Sequence, residues 1–148
     1  MFLEVRYCKP ADFDKILILL QQLWPDQALD KITLQEIYCR ALNNDLQKLI
    51  VCVGNGHIVG FCSLTIKNNF WQAGRLANVD ELVVDVNHRG SGIGTKLMER
   101  ITEIAMEHNC VRIELDSSFH REEAHQFYLN IGFKARAYLF TKPLRPLL

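Results

Sequence analysis

The sequence predicts a mixed α/β domain, an α+β arrangement in the order strand, two helices, three strands, helix, strand, helix, strand. Three features carry that prediction. Apolar residues recur at helical spacing over residues 13–23 and again at Leu97, Ile101, Ile104 and Ala105. Two β-rich runs, residues 49–53 and 58–66, flank Asn55-Gly56, the strongest short hairpin signal. The chain has 148 residues, 49% hydrophobic and 23% charged, which suits one globular core of ordinary composition and is too short for two. A single domain over residues 1–148 is expected, with no internal repeat, low-complexity run or linker.

Taken in order, residues 3–9 read as a short strand, and Pro10-Ala11-Asp12 offers an N-cap to the first helix. Trp24-Pro25-Asp26 ends that helix. Thr33-Leu34-Gln35-Glu36 has the form of a capping box ahead of Ile37, Tyr38 and Leu42, which predicts a second helix. After the hairpin, residues 76–86 supply the third strand of a meander. Its apolar set Leu82, Val84 and Val86 lies on one parity and Val79 on the other, with Asp80-Glu81 between, so a β-bulge is expected beside the two acids. Residues 87–94 form a glycine-rich turn into a third helix that runs to Asn109. Residues 111–115 read as a buried strand, residues 121–130 as a short helix ended by Gly132, and residues 133–141 as a final strand closed by Pro143 and Pro146.

Seventeen Lys and Arg balance seventeen Asp and Glu. No global positive field favours a nucleic-acid backbone, and nucleic acid is not an expected partner. The five cysteines, Cys8, Cys39, Cys52, Cys62 and Cys110, are odd in number, widely spaced and without a C-x-x-C pair. They read as buried thiols in a reducing compartment, not as a disulfide frame or a zinc site. Charges interrupt the first six residues where a signal peptide needs an apolar run, and the longest apolar stretch, residues 16–20, is far short of a membrane span. A soluble cytoplasmic protein with no membrane partner is expected.

The chemistry concentrates in Val83-Val84-Asp85-Val86-Asn87-His88-Arg89-Gly90-Ser91-Gly92-Ile93-Gly94-Thr95-Lys96-Leu97, a strand, a glycine turn and a helix. Glycines are needed where backbone N–H groups close in on a bulky anion, since a Cβ would occupy that space. The helix adds free N–H groups and the positive end of its dipole. The run reads as a phosphate cradle; a tight loop whose glycines serve only the turn is the plainer alternative. A nucleotide P-loop does not fit, because Thr95 separates Gly94 from Lys96. A dinucleotide fingerprint would need glycine at position 95 and a place in a first βαβ unit, whereas this turn follows an antiparallel meander.

Arg89-Gly90-Ser91-Gly92-Ile93-Gly94 resembles the Arg/Gln-x-x-Gly-x-Gly/Ala pyrophosphate signature of the GNAT superfamily of acetyl-CoA-dependent N-acetyltransferases. Ala124-His125-Gln126-Phe127-Tyr128-Leu129-Asn130-Ile131-Gly132-Phe133 is similar to that superfamily's second motif, Ala-x-x-x-Tyr-x-x-x-Gly-Phe. Together with the element order, the resemblance covers nearly the whole chain. It implies a GNAT-like mixed, largely antiparallel central sheet flanked by about four helices, with acetyl-CoA as cosubstrate and no metal. It implies that Leu82, Val83 and Val84 offer backbone groups to the pantetheine arm. The backbone N–H groups of Arg89, Gly90, Ser91, Gly92, Ile93, Gly94 and Thr95 would hold the pyrophosphate. Tyr128 matches the position that in many relatives gives a proton to the departing thiolate; a core tyrosine packed beside Phe127 and Phe133 is the alternative.

The attacking amine must lose a proton. Asp80 and Glu81, beside the expected bulge, are the acids positioned to take it; their side chains are expected on opposite faces, and Glu81 is favoured. Two solvated acids on a strand would look the same. His120, Arg121 and His125 flank the last helix without metal-ligand spacing, so capping or surface roles are expected. Arg121 stands where many relatives have an Asn that binds CoA, which puts that contact in doubt. Residues 122–128 and the ending Tyr138-Leu139-Phe140-Thr141-Lys142 resemble a branch that includes aminoalkylphosphonate and some aminoglycoside-type acetyltransferases. The resemblance implies a small-molecule primary amine as acceptor, attacking directly in a ternary complex. It also implies that selectivity resides in the first two helices and their loop, about residues 23–31, where Trp24, Asp26 and Asp30 either frame an amine or serve as surface residues. A CoA-binding sensor without chemistry is the alternative from another class, and a homodimer is left open.

Overall fold

The computed structural model of the protein describes residues 1–145, and the expected role of Pro146 lies outside them. Two compact units are present, Met1–Leu115 and a second that begins at Asp116. In the first, β1 (Leu3–Tyr7), β2 (Gln47–Gly54), β3 (His57–Asn69), β4 (Gly74–Val84) and β5 (Cys110–Leu115) form one sheet in that order. The first three pairings are antiparallel and β4 with β5 is parallel, the mixed and largely antiparallel sheet expected. The helices of this unit are α1 (Phe13–Leu23), α2 (Lys31–Leu42) and α3 (Ile93–Glu107); the second unit holds α4 (Glu122–Asn130).

Strand alternation sends Phe61 and Val83 to one face, where they cluster with Phe13, Ile16, Leu19 and Leu20 of α1 and Tyr38 and Ala41 of α2. The other face takes α3, whose Ile93, Leu97, Ile101 and Ile104 are at most 1% exposed. Gly60 of β3 lies directly under the first turn of α3. A Cβ there would lie 2.8 Å from Ile93 Cγ2 and 2.9 Å from Leu97 Cδ1, nearer than packed atoms come. Only hydrogen fits, so Gly60 fixes how near the first turn of α3 sits to β3.

The Asn55-Gly56 turn has positive φ at both residues, 51° and 78°, the type I′ geometry that matches strand twist. The expected bulge is present: Ser63 pairs with Glu81 and Leu64 with Val79, which leaves Asp80 as the extra residue.

Four expectations change. Asp12 does not cap α1 with its side chain. Residues Pro10–Asp12 form a 3₁₀ turn that carries its carboxylate back toward β1, where it accepts from Arg6 Nη1 (2.7 Å), Arg6 Nη2 (3.0 Å) and Lys9 N (2.7 Å). The cap of α2 is Asp30, not Thr33, because its carboxylate reaches both Thr33 N (3.3 Å) and Thr33 Oγ1 (2.8 Å); the helix accordingly starts at Lys31. Cys39 is exposed, whereas Cys52 and Cys62 are buried and all five thiols are free. No strand forms over residues 133–141 among the described residues. β-propensity does not suffice there: a strand exists only where a ladder partner takes its backbone groups, and no strand pairs with this segment, whose Tyr138, Leu139 and Phe140 are exposed.

Gly60→Val isolates the packing constraint, since valine is a better strand residue than glycine. We expect a loss of about 1–3 kcal/mol from overpacking against Ile93 and Leu97, measured by urea denaturation. An unchanged midpoint would mean that α3 moves back without cost.

Candidate active site

The bulge decides where the two acids point. Ser63 and Thr65 are two residues apart on β3 and share a face. Ser63 Oγ donates to Glu81 Oε2 and accepts from Glu81 N (3.0 Å), while Thr65 Oγ1 donates to Asp80 Oδ2 (2.5 Å). Both carboxylates therefore lie on the face of Phe61 and Val83, toward α1 and α2, and not on opposite faces as alternation alone predicts. The extra residue cancels the alternation. Burial pushes the Glu81 carboxyl above its usual range; the Ser63 hydroxyl opposes this and the charge of Asp80 adds to it. Asp80 is exposed and also accepts from Asn78 Nδ2 (2.8 Å). Leu23, Trp24 and Leu29 pack against the cluster on the same face, so the loop between α1 and α2 borders the layer that holds the acids. Asp30 is engaged as the α2 cap.

Beyond the bulge β4 keeps β3 along one edge as far as Gly60↔Val84, but its pairing with β5 ends at Val79↔Leu115. On that side Leu82, Val83 and Val84 have no strand partner among the described residues, an extended edge that a chain of amides can continue. A 3₁₀ turn, Val86–His88, then leads to Gly90 and Gly92, with φ of 80° and 79°. A Cβ built on either meets nothing within 4 Å, so these glycines answer to conformation and leave open space above the turn. Gly92 is the N-cap of α3, and Lys96 N is the first to reach an intrahelical acceptor, Gly92 O at 3.0 Å. The N–H groups of Ile93, Gly94 and Thr95 have none. No acidic residue stands in that first turn, and Arg89 and Lys96 are exposed. N–H direction, dipole and charge all favour a phosphoryl anion.

The start of this turn is anchored from α1. Gln22 Nε2 donates to Asp85 Oδ1 (2.9 Å) and Gln22 Oε1 accepts from Val86 N (2.9 Å), while His88 Nδ1 donates to Asp85 Oδ2 (2.6 Å). The Gln22 bond above all, with His88 adding, holds the Asp85 carboxyl below its usual range.

In the second unit, α4 ends in a Schellman motif. Phe133 N donates to Tyr128 O (3.0 Å) and Gly132 N to Leu129 O (3.2 Å), with Gly132 at φ 101°. The half-buried Tyr128 ring packs edge-on against Phe127 and Phe133, with centroids 5.5 and 5.8 Å away. His125 Nε2 donates to Ser118 O (2.9 Å), closing the turn before α4, and His120 is exposed. No group of three or more potential metal ligands occurs among the described residues.

Residues 13–133 match the acetyltransferase (GNAT) family, a match that runs through both units. The chain belongs to the GNAT family. It is 32% identical to a glucosamine 6-phosphate N-acetyltransferase of Trypanosoma brucei brucei over 90% of each chain. An aminoalkylphosphonate N-acetyltransferase of Salmonella typhimurium is 29% identical over 95% of this chain and 91% of its own. A transcriptional regulator from Bacillus halodurans has the same fold, with a TM-score of 0.87 over 97% of this chain and all of its own at 23% identity. This GNAT protein is an acetyl-CoA-dependent N-acetyltransferase, and the binding-only alternative is not favoured. The residues fit the cosubstrate: the space over Gly90 and Gly92 is what a diphosphate needs and what a Cβ would fill. No helix among the described residues is long and apolar enough to cross a membrane.

Sequence reasoning missed Ser63 and Gln22. A lone hydroxyl in the apolar run Phe61-Cys62-Ser63-Leu64 was a signal for Ser63, once the bulge is used to register β3 against β4. Gln22 carries no local signal, because its partners lie more than sixty residues away.

The raised Glu81 carboxyl makes a stability prediction. An unfolded glutamate titrates near 4.3, so between that value and the higher native one the folded state binds the proton more tightly and stability falls as pH rises. Glu81→Gln removes this dependence. Its stability relative to wild type should therefore increase from about pH 4 to about pH 7 in urea titrations; a constant difference would mean that the carboxyl is not desolvated.

Proposed function

We propose that the protein transfers the acetyl group of acetyl-CoA to a small-molecule primary amine by direct attack in a ternary complex, acting in the cytoplasm as one domain over residues 1–148. The observation that carries the reading is the turn at Gly90 and Gly92, two left-handed glycines beneath open space at the start of a 15-residue helix. The names of the two relatives, on glucosamine 6-phosphate and on aminoalkylphosphonates, support a small amine as acceptor.

In this reading the N–H groups of residues 89–95 hold the pyrophosphate, and the backbone of Leu82, Val83 and Val84 continues the sheet edge along the pantetheine amides. When bound, acetyl-CoA supplies a thioester whose carbonyl carbon the amine nitrogen attacks as the carbon–sulfur bond breaks. Glu81 accepts the proton that the amine gives up, directly or through water, and burial, by raising its pKa above the ordinary carboxylate value, makes it a stronger base than an exposed carboxylate. Asp80, on the same face, favours approach of a cationic amine. The Tyr128 hydroxyl gives its proton to the departing thiolate; a phenol, with an ordinary pKa of about 10, still carries that proton at neutral pH. The Ala124-x-x-x-Tyr128-x-x-x-Gly132-Phe133 motif supports that role.

Acetyl-CoA at about a hundredfold excess over Kd should stabilise the wild type by about 2.7 kcal/mol. Gly92→Val should lose this shift yet stay folded, because its side chain enters open space and the left-handed φ costs about 1–2 kcal/mol. An equal thermal shift in the variant would move the cradle elsewhere.

With glucosamine 6-phosphate, 2-aminoethylphosphonate and an aminoglycoside as test acceptors, Glu81→Gln should lower kcat/KM by about 10²–10⁴-fold and remove the acidic limb of the pH profile. In wild type that limb lies above the ordinary carboxylate range. Tyr128→Phe should lower kcat and kcat/KM together at unchanged acetyl-CoA affinity. Full turnover with a stability loss of roughly 0.5–1.5 kcal/mol would make Tyr128 a structural residue only.

A further inference from the structure

The segment between β4 and α3 has little side-chain packing of its own: Val86, Asn87, Arg89, Gly90, Ser91 and Gly92 are all exposed. Its course is set by what holds its first residues. Asp85 N donates to Val59 O (2.8 Å) and His88 N to Asp85 O (2.9 Å), which fix the backbone to β3 and close the 3₁₀ turn. Arg89 Nε donates back to Val84 O (3.4 Å), and a further anchor comes from α1. Gln22, next to last in that helix, uses both ends of one amide, with Nε2 on the Asp85 carboxylate and Oε1 on Val86 N. His88 occupies the other carboxylate oxygen, so Asp85 is held from two sides.

Backbone N–H groups bind an anion well only if they already point at it, since ordering them on binding subtracts from affinity. From these contacts we infer that Gln22 is a positioning residue for the acetyl-CoA turn: its amide fixes where the cradle begins and thereby sets acetyl-CoA affinity. This rests on the cradle reading above. The chemistry requires an amide, one donor and one acceptor on the same planar group. Glutamate has the same shape and still accepts from Val86 N, but it cannot donate to Asp85 and sets a second carboxylate against it. Asp85→Asn in that background restores the pair: the introduced side-chain amide donates through its nitrogen to the introduced carboxylate, and its oxygen accepts from His88 Nδ1.

The experiment measures acetyl-CoA Kd by calorimetry, and the melting temperature without ligand, for wild type, Gln22→Glu, Gln22→Met, Gln22→Glu/Asp85→Asn and Gly92→Val. Gln22→Glu and Gln22→Met should each weaken acetyl-CoA by about tenfold at a temperature where both are fully folded, as loss of hydrogen bonds to a charged group implies. The double variant should return to within about threefold of wild type. A merely structural Gln22 would lower the melting temperature and leave Kd unchanged, and that result overturns the inference. Should Gln22→Glu fail to fold, the neutral Gln22→Met decides the question by the same criterion. If Gly92→Val binds as wild type does, the cradle reading falls and this inference with it. If Gly92→Val alone loses binding, the cradle stands and Gln22 has no part in it.

Discussion

Apart from the bulged Asp80, β4 is paired from Gly74 to Val84 on the β3 side but only as far as Val79 on the β5 side, and the rest of the site depends on that asymmetry. A strand's N–H and C=O groups need partners. Where β5 stops, β4 is left with an edge that something else must complete, and the residues along it, Leu82, Val83 and Val84, are those next to the turn. One residue after the last β5 pair comes the extra residue Asp80, which brings both acids to the same face. Without it, alternation would send one of the two toward the layer of α3, where Leu64, Leu97 and Ile101 are nearly inaccessible and an unpaired carboxylate would be costly to bury. The end of one ladder and the irregularity in the other thus divide β4 into a half paired on both sides and a half with one open edge.

The glycines divide in a similar way. Gly60 is a question of distance, because α3 can approach β3 only where no side chain intervenes. Gly90 and Gly92 are a question of backbone angle, with empty space around them. The two requirements act on the same helix end. One sets how close the first turn of α3 lies to the sheet, and the other how the chain enters it.

Much of this was legible in the sequence, and what was not has identifiable causes. The break in parity between Val79 and Leu82 announced the bulge, Asn55-Gly56 the hairpin, and the glycines before Leu97 the tight turn into α3, since each is a local pattern with a local cause. The direction of the acids was not legible, because it depends on which residue is the extra one. Asp30 and Thr33 both suit a helix start, and only the three-residue reach of the Asp30 carboxylate to Thr33 N separates them. Asp12 looked like a cap until Arg6, from the strand before it, claimed its carboxylate. The segment after Gly132 has strand-like composition, but a strand also needs a neighbour, which composition does not report. Ser63 and Gln22 act through partners distant in sequence, where no periodicity points.

The end of α4 carries one more consequence. Tyr128 is the residue whose carbonyl receives the Phe133 N–H, and its ring lies against the Phe133 ring, so the bond that closes the end of α4 falls on the same residue that bears the phenol. The interval from Tyr128 to Gly132 then works as a ruler. Adding one residue inside it could leave a well-formed terminus yet turn the phenol about 100° around the helix axis, away from its present bearing. Substitutions at the exposed Leu129, Asn130 and Ile131 leave that interval intact, whereas a change in its length does not.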